Sequence, residues 1–214
     1  MSQSLFYLIK EPKNILAKNP AIILLHGYGS NEEDLFSFAS ELPEEYYIIS
    51  ARAPKSLQPF GYAWFDIQFD VYGNKTTNDQ EALEAKQLII NFIDEMLATY
   101  PIDSNKVHLI GFSQGAILSY AVALSQPHKV HKVMALSGYF KKELLNHYLP
   151  KEQYAHLSFF ISHGTVDQVL SIEDARAIPP ILTELGISHE YHEYPVGHGV
   201  SPQNFYDLKA FLEK

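Results

Sequence analysis

The chain has 214 residues, 46% of them hydrophobic and 19% charged, which suits one domain with a core of its own. A formal charge of −9 argues against nucleic acid, whose binding rests on Lys and Arg neutralising phosphates, and against docking on anionic lipid. The absence of cysteine removes disulfides, thiolate nucleophiles and cysteine metal sites.

Met1 to Pro12 shows no basic segment followed by an apolar one, so no signal peptide is expected. No apolar run approaches the roughly 20 residues that span a bilayer, and the expectation is a cytoplasmic chain without a membrane span.

Leu5 to Ile9 is apolar and β-prone, and Pro12 ends it. Ala21 to Leu25 is a continuous apolar run, the pattern of a strand covered on both faces in a parallel sheet. It runs into His26-Gly27-Tyr28-Gly29-Ser30. Asn31 with Asp34 then marks a helix start, Leu35, Phe36, Ala39 and Leu42 give its apolar stripe, and Pro43 closes it. Tyr46 to Ala51 is the next strand. From Arg52 to Asn78 there is no period, but there are many rings, among them Phe60, Tyr62, Trp64, Phe65 and Phe69. A loop of that length with that aromatic load is expected to be functional, because disordered segments are poor in aromatics.

Asn78 caps a helix expected over Glu81 to Tyr100, where Ile89, Ile93, Met96 and Tyr100 recur at helical spacing. Strand Val107 to Ile110, a sharp turn, and helix Ala116 to Leu124 follow. Val130 to Leu136 is a strand; Tyr139 to His156 reads as loop with short helical pieces; Leu157 to Ser162 is a strand. Ser171 caps a helix reaching Leu185, with Gly186 as its stop, and Pro179-Pro180 must kink or restart it because neither has an amide proton. His189 to Tyr194 is the last strand, and Ser201-Pro202 opens a final helix to Leu212. Strands alternating with helices predict an α/β domain over 1–214, with a mainly parallel central sheet and helices on both faces.

The turn between strand 107–110 and its helix reads Gly111-Phe112-Ser113-Gln114-Gly115, a G-x-S-x-G in strand–turn–helix context. That is the setting of a nucleophile elbow, whose strained turn lifts a serine Oγ above the sheet. Ser113 is therefore the candidate nucleophile. A serine needs a base to take its proton and an acid to orient that base, and on this type of fold they follow in the order acid, then His. Asp167 stands in a loop after a strand, ahead of the Ser171 cap. Glu173 and Asp174 lie inside the predicted helix and fit worse. His198, between Gly197 and Gly199 after the last strand, is the candidate base, whereas His128, His131, His147 and His156 have no supporting context. His189 and His192 fall on opposite faces of a strand and make no metal pair. The oxyanion donors are expected to be the backbone N–H groups of Gln114 and Tyr28, and losing one such donor costs about 3 kcal/mol of transition-state stabilisation.

Leu25-His26-Gly27-Tyr28-Gly29, Ala63-Trp64-Phe65-Asp66, Gly111 to Ala116, Ser162 to Asp167 and Gly197-His198-Gly199-Val200 together resemble the phospholipase/carboxylesterase family of α/β-hydrolases, which includes acyl-protein thioesterases. The likeness runs from about residue 20 to the C-terminus. It implies the same triad, Ser113, Asp167 and His198, and the Tyr28 and Gln114 amides as oxyanion hole. Two departures stand out: Tyr28 where the family often has Leu, and Ala116 where it often has Gly. The resemblance also implies that the loop at 52–78 lines the site, without saying which ring touches substrate; Trp64 and Phe65 are the candidates for a wall or lid of the acyl pocket, the alternative being rings packed as core under a surface loop.

The resulting expectation is serine hydrolysis of a carboxylic ester or thioester through an acyl-enzyme, with no metal or organic cofactor. Its partner would be a small-molecule substrate or an acylated protein. The alternatives are a lysophospholipase or lactone hydrolase, and, from another class, a catalytically silent hydrolase fold that only binds ligand.

Overall fold

The computed structural model describes residues 5–69, 75–145 and 147–214. Strands β1 (Tyr7–Lys10) and β2 (Asn19–Leu25) lead to helix α1 (Glu33–Phe36), which tightens into a 3₁₀ turn over Ser37–Ser40. Strand β3 (Tyr47–Ala51) precedes two small hairpins, β4 (Lys55–Ser56) with β5 (Tyr62–Ala63), and β6 (Ile67–Phe69) with β7 (Lys75–Thr77). Helix α2 (Asp79–Thr99), strand β8 (Ile102–Phe112), helix α3 (Gln114–Ser125) and strand β9 (Lys132–Leu136) follow. The second half closes with β10 (Ser158–Gly164), α4 (Ile172–Arg176), α5 (Ile178–Glu184), β11 (Ser188–Tyr194) and α6 (Pro202–Glu213).

Seven strands form the main sheet in the order β1-β3-β2-β8-β9-β10-β11. Only β1 runs antiparallel to its neighbour; every other pairing is parallel. The continuous apolar run in β2 has its reason here. Ala21, Ile23 and Leu25 enter a core shared with α2, α3 and α5, while Ile22 and Leu24 enter a second core under α1 and α6. A strand buried on both faces has no polar side to alternate with. The expected α/β architecture, with helices on both faces, is the one observed.

Local departures have physical causes. The helix expected from Ser171 to Leu185 is two helices that meet at Ala177. The two prolines fall in the first turn of α5, where a missing N–H leaves no intrahelical bond unmade. The stretch 52–78, expected to be a loop, holds both hairpins; strands of two or three residues are too short to show a period. Residues 70–74 of that stretch lie outside the described residues. Segment 139–156 carries 3₁₀ turns at Lys142–Leu144 and Lys151–Tyr154, in line with short helical pieces, and its residue 146 is likewise outside.

Candidate active site

Ser113 sits between β8 and α3 with φ 53° and ψ −114°, a left-handed conformation that a non-glycine residue adopts only under constraint. The constraint is visible. Its N–H donates to the Leu136 carbonyl at 2.9 Å, and its own carbonyl accepts from the Ile117 N–H at 3.1 Å. The flanking glycines let strand, turn and helix cross at backbone contact. A Cβ on Gly115 would stand 1.9 Å from the Leu25 carbonyl oxygen, and one on Gly111 would stand 2.4 Å from that of Gly115.

The other two candidates arrive from the ends of neighbouring parallel strands. His198 Nε2 is 3.0 Å from Ser113 Oγ, and His198 Nδ1 is 2.7 Å from Asp167 Oδ2. The Phe112 ring packs on the His198 imidazole at 4.9 Å between centroids. Ser113 is buried, and the Asp167 side chain is fully so. Burial alone would raise the Asp167 pKa. The bond from His198 and the N–H donors of Leu170 and Val169, at 3.0 and 2.8 Å, outweigh it and hold the carboxyl below its usual value. The structure thus brings together the three side chains that the sequence singled out.

Gln114 is the first residue of α3, and N–H groups in a first helical turn have no carbonyl of their own helix to bond. Tyr28 follows Gly27, whose missing Cβ would lie 3.3 Å from Ser113 Cβ, so this loop runs directly beside the serine. The loop is pinned to the β5 hairpin: the Gly29 N–H donates to Tyr62 O at 2.9 Å, and the Tyr62 N–H to Ser30 O at 2.8 Å.

Three supporting side chains had no assigned role in the sequence reading. His26 is fully buried; its Nε2 accepts from the Ala53 N–H at 3.0 Å, which leaves Nδ1 to carry the proton, 2.7 Å from Gly27 O. Burial lowers its pKa, and the neutral ring braces the Tyr28 loop. The Gln114 side chain accepts from the Trp64 N–H at 3.1 Å and donates to Phe65 O at 2.8 Å, tying the aromatic segment to the turn. His163 Nε2 lies 3.3 Å from Asp167 Oδ2 and 3.1 Å from Leu170 O. Since both neighbours are acceptors, this nitrogen carries the proton. Only contacts between strand ends could reveal these roles, and no spacing in the sequence encodes them.

Trp64 and Phe65, expected as walls of an acyl pocket, are 1% and 0% exposed. They therefore present no face to a substrate in this conformation. Trp64 Nε1 instead donates to His26 O at 2.9 Å, so the ring supports the loop from below. An indole buried in a core must find an acceptor, and here that acceptor is the backbone next to Gly27. Among the described residues, no group of three or more His, Asp or Glu side chains is placed to hold a metal ion, and no helix is long and apolar enough to cross a membrane.

A mostly parallel sheet with a strained serine at its centre, bonded to a histidine and an aspartate from later strand ends, defines an α/β-hydrolase. The chain belongs to the phospholipase/carboxylesterase family, whose model matches residues 9–214. It is 30% identical over 222 residues to an acyl-protein thioesterase 1 of Debaryomyces hansenii, covering 90% of each chain. It is 28% identical over 155 residues to a probable carboxylesterase of Oryza sativa subsp. japonica, an alignment spanning 71% of this chain and 57% of the rice protein. The crystal structure of esterase PE8 superimposes with a TM-score of 0.82 at 25% identity, covering 99% of each chain.

Proposed function

We propose that the chain is a serine hydrolase of carboxylic esters or thioesters, with Ser113 as nucleophile, His198 as general base and Asp167 as the acid that orients it. Ser113 Oγ attacks the substrate carbonyl carbon while His198 Nε2 takes its proton. The oxyanion is met by the N–H groups of Tyr28 and Gln114. His198 then gives the proton to the departing alcohol or thiol, leaving an acyl-enzyme. Water, deprotonated by the same imidazole, attacks that ester; the acid leaves and Ser113 regains its proton.

The observation that carries this reading is the unbroken contact from Ser113 Oγ through the His198 ring to Asp167, 3.0 and 2.7 Å, built on a serine held in a strained turn. The names of the relatives agree with it. Tyr28 is 43% exposed, in the loop that runs beside Ser113.

The test is hydrolysis of p-nitrophenyl esters from acetyl to palmitoyl by the wild type and by Ser113→Ala. The variant is expected to lose at least about 10³-fold in kcat, because members of such a triad act as a unit. Activity near the wild-type level in the variant would remove Ser113 from the mechanism. A wild type that turns over no ester or thioester and takes no label from a fluorophosphonate would be the silent binding module instead.

A further inference from the structure

Two open spaces lie near the triad: His198 lines one, and the other adjoins the segments that hold Asp167 and follow β9. One is a groove of about 280 Å³ on the α1 and α6 side, with His198 in its wall beside Asp34, Ser37, Phe38, Phe112 and Val200. The other is a larger cavity of about 520 Å³ between β7, the N-terminus of α2, the segment after β9, and α4. It adjoins the catalytic machinery through its own lining. Val169 and Leu170 form one wall and donate the two backbone bonds that hold Asp167. Tyr139 forms another and follows Gly138, where an added Cβ would lie 3.3 Å from the Ser113 carbonyl oxygen.

The rest of the lining is polar: Thr76, Thr77, Asp79, Lys141, Ser171 and Asp174. Asp79 is already engaged, with Lys141 Nζ at 3.0 Å and the Thr77 hydroxyl at 2.9 Å. An alkyl chain laid here would strip water from two carboxylates and an ammonium and offer no partner in return. A carboxylate-bearing group would meet two aspartates against one lysine. Hydroxyl groups, which both donate and accept, match a wall of interleaved donors and acceptors.

The direction of the reaction says which part of the substrate lies here. His198 must protonate the leaving group, so that group lies on the His198 side, along the groove that His198 lines. The acyl group then projects the other way. Resting on the serine-hydrolase reading above, we propose that the 520 Å³ cavity is the acyl subsite and that it takes a short, uncharged, hydroxyl-bearing acyl group rather than a long alkyl chain.

The experiment compares ethyl butyrate, ethyl hydroxybutyrate, ethyl octanoate and glycerol monobutyrate by acid release, with p-nitrophenyl acetate as a check on turnover itself. The hydroxylated acyl ester is expected to exceed ethyl butyrate in kcat/KM by about tenfold, the scale of one hydrogen bond to a charged wall, with ethyl octanoate poorest. Asp174→Ala and, separately, Thr77→Val are expected to lower kcat/KM for the hydroxybutyrate ester several-fold more than for ethyl butyrate. A preference for octanoate, or equal losses on both esters in both variants, would overturn the subsite. A gain confined to glycerol monobutyrate would overturn its assignment to the acyl side. No turnover of p-nitrophenyl acetate by the wild type would remove the hydrolase reading together with the subsite, whereas turnover without the hydroxyl preference would remove the subsite alone.

Discussion

Asp167 receives three hydrogen bonds, from His198 Nδ1 and from the Val169 and Leu170 amides. His163 Nε2, bonded to Leu170 O at 3.1 Å, stands 3.3 Å from Oδ2 of the same carboxylate. A carboxylate with its lone pairs so occupied stays ionised and orients the imidazole without taking its proton, which is what the acid of such a triad must do. In the proposed mechanism His163 is a positioning residue, acting on Ser113 through the loop that holds Asp167. Replacing it with Phe removes the bond to the Leu170 carbonyl and a polar neighbour of the buried carboxylate; kcat is expected to fall up to about tenfold with little change in KM, on the scale of one lost hydrogen bond. His163→Gln, which keeps an N–H donor, should recover most of the loss. An unchanged rate in His163→Phe would show that the three bonds to Asp167 suffice.

Two elements make the serine turn possible, β8 and α3, and both cross neighbours at backbone contact. Gly115→Ala would drive a methyl group into the Leu25 carbonyl, where backbone rather than a flexible side chain must yield. A stability loss of about 2 kcal/mol or more is expected, read as a lower urea midpoint. Gln114→Ala asks a different question. The residue keeps its N–H at the head of α3 but loses both bonds to the aromatic segment, and the buried Trp64 N–H loses its partner. A loss of about 1–3 kcal/mol is expected from that orphaned donor. If the segment also holds the Tyr28 loop in place, kcat should fall while the N–H at residue 114 remains; thermal melts and kinetics on one preparation separate the two effects.

At the scale of the whole molecule, acid is the weakness. Burial, reinforced by His131, Lys132 and Lys106, pushes His108 down to about 3, and burial lowers His26 as well. In the unfolded chain both protonate near their ordinary value of about 6.5. Between those limits the unfolded state binds more protons than the folded one, so stability is fully present above pH ~6.5 and declines as pH falls toward 3. Denaturant midpoints are expected to drop steadily from pH 7 to pH 4. His108→Phe, a ring of similar size among Tyr46 and His131, should flatten that slope; an equal slope in the variant would place the acid sensitivity elsewhere.

The sequence by itself determined the parts whose physics is local. Apolar runs without alternation marked strands buried on both faces. Asn78, Ser171 and Ser201 marked helix starts, and each side chain does accept a bond from its own first turn. The G-x-S-x-G turn needs its two glycines wherever a strand and helix cross so closely, so Ser113 was legible, and Asp167 and His198 followed from chain order. Helix α3 was legible only through that motif, because it is buried all round and has no polar face to set a period. The rest came from packing: that Trp64 and Phe65 turn inward, that His163 stands beside the carboxylate that His198 bonds, and that the larger space near the triad has a mostly polar lining. Each of these depends on which strand ends and loops become neighbours, and such contacts between distant residues leave no repeat or spacing along the chain.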